Sequence, residues 1–158
     1  MKKTKRTLPY EQRSDLEKIK AQWHKLTGLH SREEWSGAVV RAATAAELAA
    51  NYAIRQEFEK SSRFTDEFVN HLLLWANGLG GKMDKLLVPL AKGTNNAATM
   101  RALKTLAGAI NAERNTIVHQ GFFFSESKAQ VVIDNARSLI ERLVRIYKPK
   151  FRLKERKR

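Results

Sequence analysis

From Trp35 to Phe58 one residue in three is alanine, and this limits the folds open to the chain. Trp35, Val39, Ala42, Ala46, Ala49 and Ala53 recur at three- and four-residue spacing, with Val40, Ala43, Ala50 and Ile54 beside them. That period is the period of an α-helix. Alanine favours helix intrinsically, and its small side chain lets a neighbouring helix approach closely. A helix so lined has to be surrounded by other helices.

The rest of the sequence supplies them. Leu16, Ile19, Trp23 and Leu26 predict a helix over 9–27, with Pro9 in its first turn and Gly28 as its stop. Ser31-Arg32-Glu33-Glu34 reads as a capping box opening the alanine-rich helix. A third helix is expected over 64–77, with Phe64, Phe68, Leu72 and Trp75 on one side. Asn77-Gly78-Leu79-Gly80-Gly81 ends it, and a shorter segment follows over 82–91. Gly93-Thr94-Asn95-Asn96 is a turn, then a helix covers 97–120. After Phe122-Phe123-Phe124, Ser125 or Ser127 starts a last helix to Tyr147 that buries Val132, Ala136, Leu139, Leu143 and Ile146. No alternating pattern predicts a strand. The fold class is all-α, an up-and-down bundle of about five main helices over residues 8–148.

Composition sets bounds on partners. The 158 residues carry a net charge of +14, 42% hydrophobic and 29% charged side chains, and no cysteine. One domain of this length can bury a genuine core. The lack of cysteine excludes disulfides and thiolate sites and fits a reducing cytosol, so a cytoplasmic location is expected. No apolar run reaches membrane-spanning length, and no hydrophobic region follows the amino-terminal charges.

The excess charge is concentrated at the ends. Lys2, Lys3, Lys5 and Arg6 lie in the first six residues. Lys148, Lys150, Arg152, Lys154, Arg156, Lys157 and Arg158 lie in the last eleven, against Glu155 alone. Residues 1–7 and 149–158 are expected to be mobile basic tails, with order ending at Pro149. Such tails draw a protein to polyphosphates by counterion release without reading sequence. Nucleic acid is the expected partner, an acidic protein is the alternative, and no membrane is expected.

One stretch carries chemistry: Arg114-Asn115-Thr116-Ile117-Val118-His119, followed by Gln120-Gly121 at a helix stop. Arginine grips a phosphate with a fork of fixed charge, and histidine exchanges protons near neutrality. On a helical wheel Arg114 falls about 40° from Ile110, on the apolar face, where a charge requires a partner. Glu47, which interrupts an apolar row of the alanine-rich helix, is the candidate. It could hold the arginine and still leave part of its fork for phosphate. His119 lies about 140° around the helix from Arg114. Asn111, Asn115 and His119 share a face instead. Three routes would unite arginine and histidine: unwinding near Gly121, a long reach by the arginine, or pairing between two subunits along a dimer cleft; the first and third together are expected.

Arg114-Asn115-x-x-x-His119, late in an all-helical domain of this size, resembles the HEPN superfamily. Its signature is an arginine, often followed by a polar residue, and then a histidine four to six positions on. The resemblance implies a homodimer with two motifs lining one cleft and a metal-independent endoribonuclease without cofactor. It also implies service as a toxin in toxin–antitoxin or antiphage defence, with a possible antitoxin protein as partner. It makes Arg114 and His119 catalytic and Asn115 their polar assistant; the helical wheel, apart from the resemblance, adds Glu47 and Asn111 in support. One subgroup, paired with nucleotidyltransferase antitoxins, has a tyrosine two residues after the histidine. Gly121 stands there in this chain, which argues against that pairing mode. Two other readings stay open: a non-catalytic nucleic-acid-binding bundle, and an inactive HEPN-like scaffold for a protein or nucleotide.

Other motifs have blander readings. His24, His30 and His71 show no metal-ligand spacing. Gly78-Leu79-Gly80-Gly81 lacks the lysine and hydroxyl of a phosphate loop. Phe122-Phe123-Phe124 either packs over the bundle end or a dimer contact, or stacks bases. Arg137, Arg142 and Arg145 either extend a basic surface toward the motif or form a solvated face.

Overall fold

The computed structural model describes residues 8–61 and 64–154. Six helices form an all-α bundle, and no strand occurs among the described residues. They are α1 (Asp15–Ser31), α2 (Trp35–Ser61), α3 (Asp66–Trp75), α4, α5 (Ala97–Gln120) and α6 (Glu126–Arg145). α4 is composite: Gly78–Lys82 is α-helical, Met83–Leu87 is a π turn, and Val88–Ala91 is α-helical again. Pro89, which has no amide to donate, lies just beyond the wide turn.

α2 is the axis of the bundle. It packs against α1, α4, α5 and α6. Its alanines at 38, 42, 43, 45, 46, 49, 50 and 53 are all buried, so several helices can approach it closely. Around it sit Ile19, Trp23 and Leu26 of α1, Leu103 and Ile110 of α5, and Ile133, Leu139, Ile140 and Leu143 of α6. The expected α6 face is buried as read, with Ile146 half-buried just past its end.

Several local expectations are corrected. The first helix does not begin at Pro9, which precedes a short 3-10 turn over Tyr10–Gln12; α1 opens only at Asp15. Gly28 does not stop α1, which runs on to Ser31. The capping box lies at the other end: Ser14 accepts from the Glu17 amide, and the Glu17 carboxylate accepts from the Ser14 amide. Ser31 instead donates back to the Gly28 carbonyl. Glu33, at φ 60°, reverses the chain, with Glu33 N–H on the His30 carbonyl and Glu34 N–H on the Leu29 carbonyl. This is a Schellman ending with a non-glycine residue in the left-handed position.

On α3 the buried face is Val69 and Leu73, not the aromatic row. Phe64, Phe68 and Trp75 stay exposed. Phe64 packs edge-on against Phe58 and lies beside Phe68, while the Lys85 ammonium sits over Trp75.

Order does not end at Pro149. Phe151 and Leu153 are 4% and 5% exposed, as well packed as the helical core. Glu141 accepts from the Leu153 amide, Arg145 donates to the Phe151 carbonyl and Arg137 to the Lys154 carbonyl. Residues 149–154 therefore complete the domain. Apolar side chains at alternate positions of an extended segment put Arg152 and Lys154 outward while Phe151 and Leu153 seal the bundle.

Candidate functional site

α5 carries the motif and is helical without interruption to Gln120. Gly121, at φ 68°, ends it, with its amide on the Ile117 carbonyl and the Phe122 amide on the Thr116 carbonyl. Only a residue without Cβ takes that backbone easily. The helix does not unwind, so His119 is not swung toward Arg114. His119 is exposed on the last turn, and Arg114 is half-buried one turn earlier. No hydrogen bond joins them within one chain.

Arg114 donates from NH1 to the Asn115 side-chain carbonyl at 3.1 Å. It makes no ion pair among the described residues. The expected bond to Glu47 is absent because Lys82 takes that carboxylate. Lys82 is buried, its side chain 6% exposed against 37% for Glu47, and a buried ammonium holds the nearest carboxylate firmly. The sequence reading missed Lys82. The signal was a lysine among Leu79, Met83 and Leu86, at core spacing on a helix.

Asn111 is half-buried, its amide nitrogen 3.9 Å from where a Cβ on Gly80 would stand. It thus faces α4. Asn115 is half-buried and engaged with Arg114, so the row of three polar residues grades from packed at Asn111 to open at His119.

The surroundings of His119 are apolar and open. Val118 and Phe122 are exposed, and Phe123 is 93% exposed. Only Phe124 of the three phenylalanines packs inward; its amide donates to Ser36 Oγ and the Lys128 ammonium covers its ring.

The basic candidates divide. Lys148, Lys150, Arg152 and Lys154 are exposed. Lys2, Lys3, Lys5, Arg6, Arg156, Lys157 and Arg158 lie outside the described residues. Arg145 and Arg137 are held by Glu141, at 2.7 and 3.9 Å, and Arg137 also covers the Trp23 ring. Both serve the docked carboxyl-terminal segment, and neither is a reserve of charge for the motif. Arg142 is exposed.

Arg114 and His119 line none of the hollows formed by Arg13 and Tyr52, by His24 and Arg41, or by Glu57 and Met100. No group of three or more histidine, aspartate or glutamate side chains among the described residues is placed to hold a metal ion. His30 packs edge-on against Trp35, while His24 and His71 are exposed. No described helix is long and apolar enough to cross a membrane.

No family model matches the chain, and neither a curated protein nor a solved structure is similar to it at a significant level.

Proposed function

We propose that the chain is an endoribonuclease of HEPN type that works without a metal and whose site is completed by a second copy. One observation carries this reading. Arg114 is half-buried, oriented by a neutral amide and unpaired with any described carboxylate, while a solvent-open histidine stands on the last turn of the same helix. A half-buried cation without a counter-ion is costly unless an anion arrives.

The chemistry follows from those two groups. Arg114 binds the scissile phosphate and stabilises charge building on its non-bridging oxygens. The ribose 2′-oxygen attacks phosphorus and its proton passes to one His119 imidazole. The P–O5′ bond breaks, and the leaving 5′-oxygen takes a proton from an imidazolium, leaving a 2′,3′-cyclic phosphate. Two histidines in a dimer divide the base and acid roles. Five residues of regular helix separate Arg114 from His119 by about 7.5 Å along the axis and about 140° around it. The imidazole serving each arginine therefore comes from the other copy. By the resemblance, the biological role is growth arrest in a toxin–antitoxin or antiphage setting, with an antitoxin as a possible partner.

The test is cleavage of single-stranded RNA in EDTA, beside Arg114→Ala and His119→Ala. Cleavage with cyclic-phosphate ends, lost in both variants, is expected. Mixing the two inactive variants should restore only weak activity, because a mixed dimer keeps one Arg114–His119 pair across the axis but lacks the second imidazole. Cleavage that survives His119→Ala refutes the mechanism.

A second reading is favoured by the separation of Arg114 and His119 in the single chain: a basic bundle that binds nucleic acid and does not cut it. Salt-sensitive RNA binding without cleavage by the unaltered protein would support it.

A further inference from the structure

Between α1 and the first turns of α2 lies a hollow of about 360 Å³ lined by His24, Lys25, Gly28, Leu29, Arg32 and Arg41. Three of its six lining residues carry permanent cations, and none carries a carboxylate. We propose that this pocket is a docking site for backbone phosphates of a single-stranded polynucleotide, separate from the Arg114 motif. The choice of RNA as the strand rests on the ribonuclease reading; the pocket itself rests on its own geometry.

Arg41 is its fixed element. Gln22, only 5% exposed, donates from Nε2 to the Tyr10 hydroxyl at 2.7 Å and accepts at Oε1 from Arg41 NH1 at 3.1 Å. The amide is thus oriented at both ends and holds the guanidinium in place. It does so without neutralising it, and Arg41 makes no ion pair among the described residues. A planar fork held this way suits the bidentate geometry of a phosphate.

Two further features serve the same end. Gly28 leaves the wall of the pocket without a side chain. A Cβ there would stand 3.7 Å from Arg32 NH1, so anything larger than a methyl would intrude on the hollow. Arg32 is paired through Nε with Glu34 at 2.7 Å, and its NH1 faces Gly28. Lys25 is exposed and also lies near the Tyr10 ring.

The cationic surface is longer than one phosphate. From Arg32 back to Lys20 is roughly 18 Å of α1. Lys20 lies by the Phe151 ring, and Arg137, over Trp23 of α1, holds the Lys154 carbonyl. The exposed Arg152 and Lys154 are thereby brought to the side of α1. A run of cations of this length matches a strand better than a lone anion.

The test uses the full chain and a fluorescein-labelled 20-nucleotide RNA with 2′-O-methyl riboses, which cannot undergo 2′-oxygen attack. Fluorescence anisotropy should show affinity about tenfold weaker for Lys25→Gln/Arg41→Gln, with a salt dependence shallower by about two counterions. Gly28→Leu should weaken binding by filling the hollow. Circular dichroism checks folding, and the exposed Lys25→Gln carries the test alone if Arg41→Gln does not fold. Wild-type affinity and salt slope in all of these variants would overturn the proposal. So would displacement of the strand by inorganic phosphate or adenosine monophosphate at the strand's own concentration, which would mark a pocket for free phosphate. Binding lost in these variants, with native RNA uncut by the wild type, would leave the pocket standing and end the ribonuclease reading. Native RNA cut while the variants bind normally would do the reverse.

Discussion

Replacing Glu47 with leucine decides what that carboxylate is for, and through it whether Arg114 is available to a phosphate. Breaking a fully buried ion pair costs about 3–5 kcal/mol, and losing a surface pair costs about 0–1 kcal/mol. Here the ammonium of Lys82 is 6% exposed and the carboxylate of Glu47 37%. The pair lies between those limits, so Glu47→Leu should destabilise by about 2 kcal/mol, leaving a buried cation unmatched. For a chain of this size that lowers Tm by about 4–8 °C. The double variant Glu47→Leu/Lys82→Met removes both charges and keeps the volume, so it should return to within about 0.5 kcal/mol of the wild type. Urea denaturation followed by circular dichroism measures all four corners of the cycle. A parallel cycle of Glu47→Leu with Arg114→Ala should be additive. Coupling of Glu47 to Arg114, with none to Lys82, would refute the reasoning: Arg114 would then be a structural counter-ion.

Four further outcomes follow from the geometry. Ser14→Ala should cost about 1 kcal/mol, since Ser14 caps α1, while Ser31→Ala should cost much less; chemical denaturation separates them. Deleting 149–158 should destabilise by at least about 4 kcal/mol through loss of Phe151 and Leu153, whereas neutralising Lys150, Arg152 and Lys154 to glutamine should spare Tm and flatten the salt dependence of RNA binding. Burial, then the hydrogen bond to Glu57, holds the Tyr147 hydroxyl protonated well above its ordinary range. The denatured chain ionises that tyrosine above about pH 10 and the folded chain does not, so stability is full below that pH and falls as pH rises; Tyr147→Phe should make alkaline unfolding less steep. Asn115→Asp should keep the contact with Arg114 but neutralise it, lowering RNA cleavage in EDTA far more than Tm; equal loss of both would make the contact structural.

Where one helix face and its stop signals decide an element, the sequence was enough. Residues 97–120 form a helix ended by Gly121, and Ser125 caps the next one, accepting from the Lys128 amide. Errors arose where local signals were ambiguous. Ser31-x-x-Glu34 has the composition of a capping box, but α1 tolerates Gly28 and closes through Glu33. Phe151 and Leu153 were hidden in a basic run whose charge outweighed their alternation. The partner of Glu47 could not be read at all. An acidic residue in an apolar row implies a buried cation, but choosing Lys82 over Arg114 requires knowing that α4 crosses α2 there. Of the motif, the sequence placed Arg114 and His119 on one helix and at its end, and the 140° between them. Whether a second copy closes that angle depends on an interface no single chain contains.

The partners of the half-buried cations supply the strongest argument for an anionic ligand. Arg55 is held by Asp15, Lys82 by Glu47, and Arg137 and Arg145 by Glu141. Each of these charges has a carboxylate beside it, Glu141 being shared by two arginines, and each ties elements of the fold together. Four others have no carboxylate: Arg13 donates to the Leu8 carbonyl, Lys18 lies by the Tyr10 ring, and Arg114 and Arg41 are each held by an amide. Asn115 holds Arg114 and Gln22 holds Arg41, both through a side-chain carbonyl that carries no net charge. An amide fixes a guanidinium in direction and leaves its field intact, whereas a carboxylate would fix it and cancel it. This chain has carboxylates to spend on structural arginines and withholds them from these two. Partial burial without a counter-ion weakens the fold at both positions. On the proposed reading, a phosphate arriving at either one would recover that cost, and the motif on α5 and the pocket between α1 and α2 would share one physical signature.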